Sequence, residues 1–404
     1  MRLRCLLPTL LLLLPAHAQH AGEEATRQAL SRLGAQFYEQ SRVELLPTAE
    51  EKYQTLLADI GQAREYIHLD YFKFQDDSIC HRLFELLSRK AAEGVEVRVI
   101  FDAVGNRYSD SPLSKQYIKD VRARGIKIFA FDPVRFPWVH HFVHRNHHKI
   151  AVIDGRLAYT GGMNVADYYL HGKPHIGQWR DMHVRLTGPA VSGLEHVFEV
   201  MWYDVSGEML NLLPTTESRE NGNIALVSRM PRCHSDNMRR AIAAAIDNAE
   251  NVVQIVNPYT TLTHTVRRAL YRALKRGVRL QVMVSYNGDA TITQNVQAIE
   301  MHKLMKRGAE VYYYEGGFHH SKVMTIDNEF CCVGTTNLDG RSLRNDYEVS
   351  LFVFDKETTQ RLQEIFHRDV REHCFMLTPA LWHQRFSTGQ RFSGRFFTPI
   401  RSNL

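Results

Sequence analysis

Cysteine is scarce in this chain of 404 residues, six in all, and no apolar run is long enough to span a bilayer. Cys5 lies in an N-terminal apolar stretch, and Cys80, Cys233, Cys331, Cys332 and Cys374 are an odd number without framework spacing. That excludes a small disulfide-stapled scaffold, though not a single bridge, and the adjacent Cys331 and Cys332 in an apolar strand read as small core residues. The apolar run from Cys5 to Pro15 falls short of the ~20 residues that a membrane-spanning helix needs. With Arg2 and Arg4 before it and Ala16-His17-Ala18 after it, it reads as a secretory signal, residues 1–18, cut after Ala18. Retention as an uncleaved anchor is the alternative. Neither sign of charge dominates: the formal net charge of +6 falls to about +4 without the first 18 residues, which hold two arginines and no acid. So small a value suits an anionic partner without demanding one.

What the chain does have is one unusual string, twice. His147, Lys149 and Asp154 follow the pattern H-x-K-x4-D, and His320, Lys322 and Asp327 follow it again 173 residues later, each with a Gly-led run ending in Asn downstream. In an extended strand residues two apart share a face, so each copy offers an imidazole and an ammonium to one space. Histidine exchanges protons near neutral pH and can attack phosphorus; two fixed lysines would stabilise the charge that builds on a phosphodiester under attack. Phosphoryl or phosphatidyl transfer is the chemistry this set suits. Asp154-Gly155 and Asp327-Asn328 are two-residue hairpin pairs, so we read both motif acids as mainly structural, with a direct proton role as the alternative.

The repeat extends beyond the motifs. Residues 94–102 resemble 277–285, and 125–128 resemble 308–311, both offset by 183 positions. The first half therefore carries about ten extra residues before its motif, within 132–146. Each half alternates helical patterns with short β-branched strands, which predicts a layered α/β domain. In the first half, a capping box at Thr48 and Glu51 starts a helix through Ala63, a strand follows at 66–72, a helix at 81–93 and a strand at 95–101. The second half has helices at 238–248 and 263–276 and strands near 252–256 and 278–284. The expected organisation is an N-terminal helical segment (19–46), a first domain (47–212), a linker (213–223), a second domain (224–373) and a basic aromatic tail (374–404).

The paired motif resembles the phospholipase D superfamily, in which two half-sites form one active site. The flanks Gly161-Gly162-Met163-Asn164, Trp179-Arg180-Asp181, Gly188-Pro189, Gly317-Phe318-His319-His320, Gly334-Thr335-Thr336-Asn337-Leu338-Asp339 and Arg341-Ser342 are similar to those of bacterial cardiolipin synthases, from about Val43 to Phe375. The resemblance implies an α/β fold of two pseudo-symmetric domains, each a mixed sheet flanked by helices, with the site at their interface. It implies transfer of a phosphatidyl group between two phosphatidylglycerol molecules through a phosphohistidine, releasing glycerol, with no cofactor and no metal. His147 would be the nucleophile and His320 the acid and base, an order open to reversal. Members commonly carry two N-terminal membrane helices, which this sequence does not show.

Asp181 and Glu348 are, by the same resemblance, the candidates to fix the histidines' tautomers; salt bridges to the neighbouring Arg180 and Arg344 are the plainer reading. Asn164 and Asn337 are read as neutral donors to phosphate oxygens. The crowding of His140, His141, His144, His147 and His148 invites a metal site, but acidic or cysteine ligands at defined spacing are missing, and none is expected. His148 should point away from His147 and pack or hydrogen-bond. The insertion, with Pro133, Arg135, Phe136, Pro137, Trp138, His140 and Phe142, reads as a lipid-touching loop at the mouth of the site or as an ordinary self-packed loop. The tail has no Asp or Glu but has Arg385, Arg391, Arg395 and Arg401 beside Trp382, Phe386, Phe392, Phe396 and Phe397, which suits an anionic membrane surface; a mobile end is the alternative. The expectation is an exported, peripherally membrane-associated enzyme of the cell envelope or periplasm, working as a monomer and not on nucleic acid. Its rivals are a phospholipase D hydrolase with water as acceptor or a transphosphatidylase of other phospholipids, an exported phosphodiesterase or nuclease, and a non-catalytic lipid binder.

Overall fold

The computed structural model describes residues 21–133, 143–210, 221–231 and 236–403. Two mixed sheets dominate. The first has seven strands in the order Arg42–Leu46, His183–Thr187, Leu157–Gly161, Lys149–Ile153, Tyr66–Tyr71, Glu96–Asp102 and Lys127–Phe131. The second repeats that topology with Ile224–Arg229, Glu348–Val353, Phe330–Gly334, Val323–Ile326, Val252–Val256, Arg279–Ser285 and Glu310–Tyr314. It gains one strand at each edge, Gln36–Tyr38 and Cys374–Met376. In each sheet the three strands farthest along this order run parallel and the rest antiparallel, so the two-domain α/β architecture expected from the repeat is the one found.

The local chemistry follows the sequence closely. Thr48 caps the helix Ala49–Gly61 by accepting from Glu51 N at 3.2 Å, and Asp77 caps Ser78–Ala92 by accepting from Cys80 N at 3.3 Å. In the latter helix Ile79, Cys80, Leu83, Phe84 and Leu87 are buried, the spacing of one helical face turned to a sheet. Strand Lys149–Ile153 is buried at every residue, as a central strand covered on both faces should be. Between the two sheets lies a shared core in which Ile150, Val152, Val184 and Leu186 of the first pack with Leu226, Val333, Val349 and Leu351 of the second. This core fixes the two halves against each other.

Two boundaries differ from expectation. Among the described residues of the segment 19–46, Ala21–Arg32 is helical; the chain then forms Gln36–Tyr38, which pairs with Ile224–Leu226 of the second sheet, and Arg42–Leu46, which edges the first. Buried Phe37 and Tyr38 hold that crossing in place. The stretch after 374 is no separate tail: Cys374–Met376 pairs with Tyr312–Tyr314, and the helices Pro379–Arg385 and Thr388–Phe397 fold back onto the second domain. Trp382 and Phe386 are buried in its core. Cys80, Cys331, Cys332 and Cys374 are free thiols. The signal-like residues 1–18, Cys233, most of the proposed linker and insertion residues 134–142 lie outside the described residues.

Candidate active site

Each motif histidine lies just before a central strand, and its approach is pinned by the opposite half. His147 N donates to Tyr347 O at 3.0 Å and Tyr347 N donates to Arg145 O at 2.8 Å, a parallel bridge beside Glu348. On the other side Phe318–His319 pairs in parallel with Trp179–Arg180, and His320 N donates to Arg180 O at 2.6 Å, beside Asp181. The chain leading into each histidine is therefore zipped to the chain leading into the other half's acid.

The side chains follow the backbone. His147 Nδ1 lies 2.8 Å from Glu348 Oε1, and His320 Nδ1 lies 2.7 Å from Asp181 Oδ2, with both carboxylates fully buried. Both acids orient a histidine, crosswise between halves, and neither pairs with its neighbouring arginine; Arg180 instead bonds Asp369 at 3.2 Å. A carboxylate at Nδ1 fixes the tautomer that leaves Nε2 to do chemistry. Glu348 also accepts from the Thr335 hydroxyl. Asp181 accepts from Met182 N at 2.7 Å, and a Cβ on Gly162 would sit 2.1 Å from its Oδ1, so only glycine leaves room for the acid.

The two lysines complete the cluster. Lys149 Nζ donates to His147 O at 2.7 Å, and Lys322 Nζ lies 3.0 Å from His320 Nε2. Burial, against the pull of Glu348, brings Lys149 down to about 7, and burial likewise brings Lys322 to about 8. Burial and the ammonium of Lys322 lower His320 to about 4. Burial, then Lys149 and Lys322, holds His147 well below its ordinary value. Burial raises Glu348 to about 7 despite Lys149. The site thus holds neutral imidazoles in a positive field suited to a phosphate anion.

Asp154 and Asp327 stand elsewhere. Each sits at φ +52° in a tight turn at the far end of its strand, and five residues of strand put Asp154 about 16 Å from Lys149. Asp154 accepts from the amides of Arg64, Glu65 and Tyr66, and Asp327 from those of Glu250, Asn251 and Val252, all within 3.0 Å. The motif acids staple the start of a neighbouring strand. A direct proton role has no geometry to support it, so placing them in a catalytic set with the histidines is corrected.

Asn164 and Asn337 are buried, and the Oδ1 of each lacks a hydrogen-bond partner; that oxygen only accepts, so the expected donation to a phosphate oxygen would have to come from Nδ2. Asn164 Nδ2 reaches Tyr169 OH at 3.3 Å. Several contributors were given no role in the site from the sequence, although Trp179 and Phe318 stand in its motif flanks. Tyr169, Trp179, Tyr259 and Phe318 surround the His320 ring with centroids within 6.3 Å, whereas His147 meets the Phe72 ring at 5.1 Å. Asp102 accepts from Asn146 N at 2.9 Å, and Ser285 Oγ accepts from His319 N at 2.7 Å. These two occupy the last place of the matched segments 94–102 and 277–285, so the repeat itself carried their signal.

In the histidine-rich stretch, His144 Nδ1 contacts Asn345 O at 2.8 Å and His148 Nδ1 contacts Asp70 at 3.1 Å, so His148 is the hydrogen-bonded core residue expected. Among the described residues no three His, Cys, Asp or Glu side chains converge as a metal site would require.

The profile of the family described as "Cardiolipin synthase, PLD-like domain" matches residues 56–202 and 242–370, one match per half. The cardiolipin synthase of Listeria monocytogenes is 32% identical over 358 residues, covering 87% of this chain and 73% of that protein. The cardiolipin synthase of Oceanobacillus iheyensis is 33% identical over 364 residues, with 89% and 75% covered. The crystal structure of phosphatidylserine synthase from Haemophilus influenzae superposes with a TM-score of 0.71 at 14% identity, covering 94% of this chain and 98% of that one, a likeness of fold. With two half-sites zipped into one and both halves matched, the chain belongs to the phospholipase D superfamily and, within it, to the cardiolipin synthase family of phospholipid phosphatidyltransferases.

Proposed function

We propose that this chain is a cardiolipin synthase that moves a phosphatidyl group from one phosphatidylglycerol to another through a phosphohistidine on His147. The observation that carries the reading is the crosswise site, in which His147 and His320 each have Nδ1 held by a carboxylate of the opposite half, so that Nε2 is the ring nitrogen not paired with an acid. His147 Nε2 makes no hydrogen bond to a described residue, while the Lys322 ammonium lies against the His320 ring, 2.9 Å from Nδ1 and 3.0 Å from Nε2, which favours His147 as the nucleophile.

In the first step the Nε2 lone pair of His147 bonds to phosphorus as the phosphorus–oxygen bond to glycerol breaks. His320, protonated once the bound phosphate offsets the lysines, gives its proton to the departing oxygen. In the second step a hydroxyl of another phosphatidylglycerol attacks phosphorus, its proton passes to His320, and the phosphorus–nitrogen bond breaks. Lys149 and Lys322 stabilise the charge on the phosphoryl oxygens in both steps. One phosphodiester replaces another, so no nucleotide is needed. The buried, aromatic surroundings of His320 favour a lipid hydroxyl over water as acceptor. The basic, apolar N-terminus supports export to the cell envelope and the acid-free C-terminus supports contact with an anionic membrane.

Mass spectrometry of lipids formed from phosphatidylglycerol vesicles tests this, with chelator and with His147→Ala as controls. Cardiolipin and glycerol, formed with chelator present and absent in the variant, are the expected products. Phosphatidic acid alone would make the protein a hydrolase, and no lipid turnover would refute the lipid reading.

A further inference from the structure

At the end of the second domain remote from the interdomain core, the C-terminal helices make a groove that the chemistry above does not use. It lies between the end of the helix Thr291–Met305 and the helices Pro379–Arg385 and Thr388–Phe397, with a volume of about 490 Å³. His302, Lys306, Trp382, His383, Arg391 and Arg395 line it, and no acid does. Lys306, near the C-terminus of its helix, can be explained by the helix dipole. Arg391 cannot: it sits in the first turn of Thr388–Phe397, where a positive charge is disfavoured, and its partners are an imidazole and a hydroxyl rather than an acid, His383 Nδ1 at 2.6 Å and Thr388 Oγ1 at 3.2 Å. Trp382 stacks on His302 at 4.2 Å to form the floor. Burial, then the positive charges of Lys306, Arg395 and Arg391, push His302 down to about 4, a sign of the positive field the groove sustains.

Beside the groove stands an apolar ridge. Phe392 and Phe396, one turn apart, are 70% and 67% exposed with their rings 6.3 Å apart, and Ile400 continues the line half-exposed. Large apolar side chains left in water next to unneutralised cations are the pattern of a helix that settles into a membrane interface. A 3-10 helix, Thr398–Asn403, follows directly and contains Arg401, whose carbonyl accepts from Thr261 Oγ1, and the adjacent Leu262 N donates to Leu338 O beside Asn337. The ridge and the catalytic rim are thus joined by one short stretch of structure.

We propose that this surface docks the protein on an anionic bilayer, with a phospholipid phosphate in the basic groove and Phe392 and Phe396 inserted among the acyl chains. The proposal deepens the lipid reading of the active site, naming how the protein meets the surface that holds its substrate, and rests on that reading for its choice of anion.

The test is co-sedimentation of the full chain with phosphatidylcholine vesicles, with and without phosphatidylglycerol, alongside turnover of a short-chain, water-soluble phosphatidylglycerol. Wild type should sediment with the anionic vesicles only. Arg391→Glu with Arg395→Glu, and separately Phe392→Ser with Phe396→Ser, should each lower partitioning at least about tenfold while soluble-substrate turnover stays unchanged. Unchanged turnover, or an unchanged circular dichroism melt where there is no turnover, shows that the variants fold. Folded variants that sediment like wild type, or a wild type that ignores anionic lipid, would overturn the proposal. Normal docking without turnover of any lipid would leave the surface standing and refute the enzymatic reading instead.

Discussion

The two halves share a topology yet hold their acids differently. In the first, Asp181 is short, takes its second hydrogen bond from Met182 N and needs the bare backbone of Gly162. In the second, Glu348 is longer by one methylene, and the residue matching Gly162 is Thr335, whose hydroxyl bonds the acid. One half makes room for its carboxylate, and the other supplies it with a donor. Each acid then serves the histidine of the opposite half, and among the described residues the histidines differ accordingly: His320 lies in an aromatic enclosure against Lys322, while His147 meets one ring, Phe72, and its Nε2 has no partner. Duplication supplied the pair, and divergence around it permits a nucleophile and a proton carrier rather than two copies of one role.

The sharpest way to break this comparison is to remove the carboxylates. Glu348→Gln and Asp181→Asn keep the shape but lose the charge that fixes the tautomer, and each should lower kcat about 10³- to 10⁴-fold. A loss in only one of them, measured by steady-state turnover, would mean that the second histidine is a bystander. Next in size is Gly162→Ala, which drives a methyl into Asp181 and should cost about a hundredfold in turnover, whereas Thr335→Ala removes one hydroxyl and should cost about tenfold. Equal losses would show that the halves hold their acids by the same means.

A third effect is graded by pH. Lys149 and Lys322 carry their charge below about 7 and about 8, so kcat/KM should fall by about tenfold per pH unit between these values and by about a hundredfold per unit above both. Rates that hold to pH 10 would mean ordinary, solvated lysines. The same shifts act on stability with the opposite sign. Between these values and the unfolded value of 10.5 the unfolded chain binds more protons, so the two lysines make the fold more stable as pH rises across that window. The smallest effect belongs to the motif acids: Asp154→Asn and Asp327→Asn weaken the amide staples and should each cost about 1–2 kcal/mol in a denaturant melt, with turnover within about twofold. A large loss of turnover in a stable variant would restore a proton role to the acid.

The fold was largely legible because it is written twice. The segments 94–102 and 277–285 became matching strands, and the hairpin chemistry at Asp154-Gly155 and Asp327-Asn328 became tight turns with positive φ. What sequence could not reveal was the crossing of the halves. Asp181 lies 34 residues after its own motif histidine and Glu348 lies 28 after its own, and only the pairing of Tyr347 with Arg145 and of Trp179 with Phe318 hands each acid to the distant partner. Nor did composition reveal that the aromatic C-terminus folds. Trp382 and Phe386 enter the core while Phe392 and Phe396 stay outside, a division set by helix phase and by the close contact of Gly394 with the helix Thr291–Met305.

The crosswise pairing is the centre of this account, and nuclear magnetic resonance of the imidazole Nδ1 protons in ¹⁵N-histidine-labelled protein tests it directly. Glu348→Gln should shift the His147 resonance and leave that of His320 in place, and Asp181→Asn should do the reverse. If each substitution instead moved the histidine of its own half, the single site built from two exchanged carboxylates would be wrong.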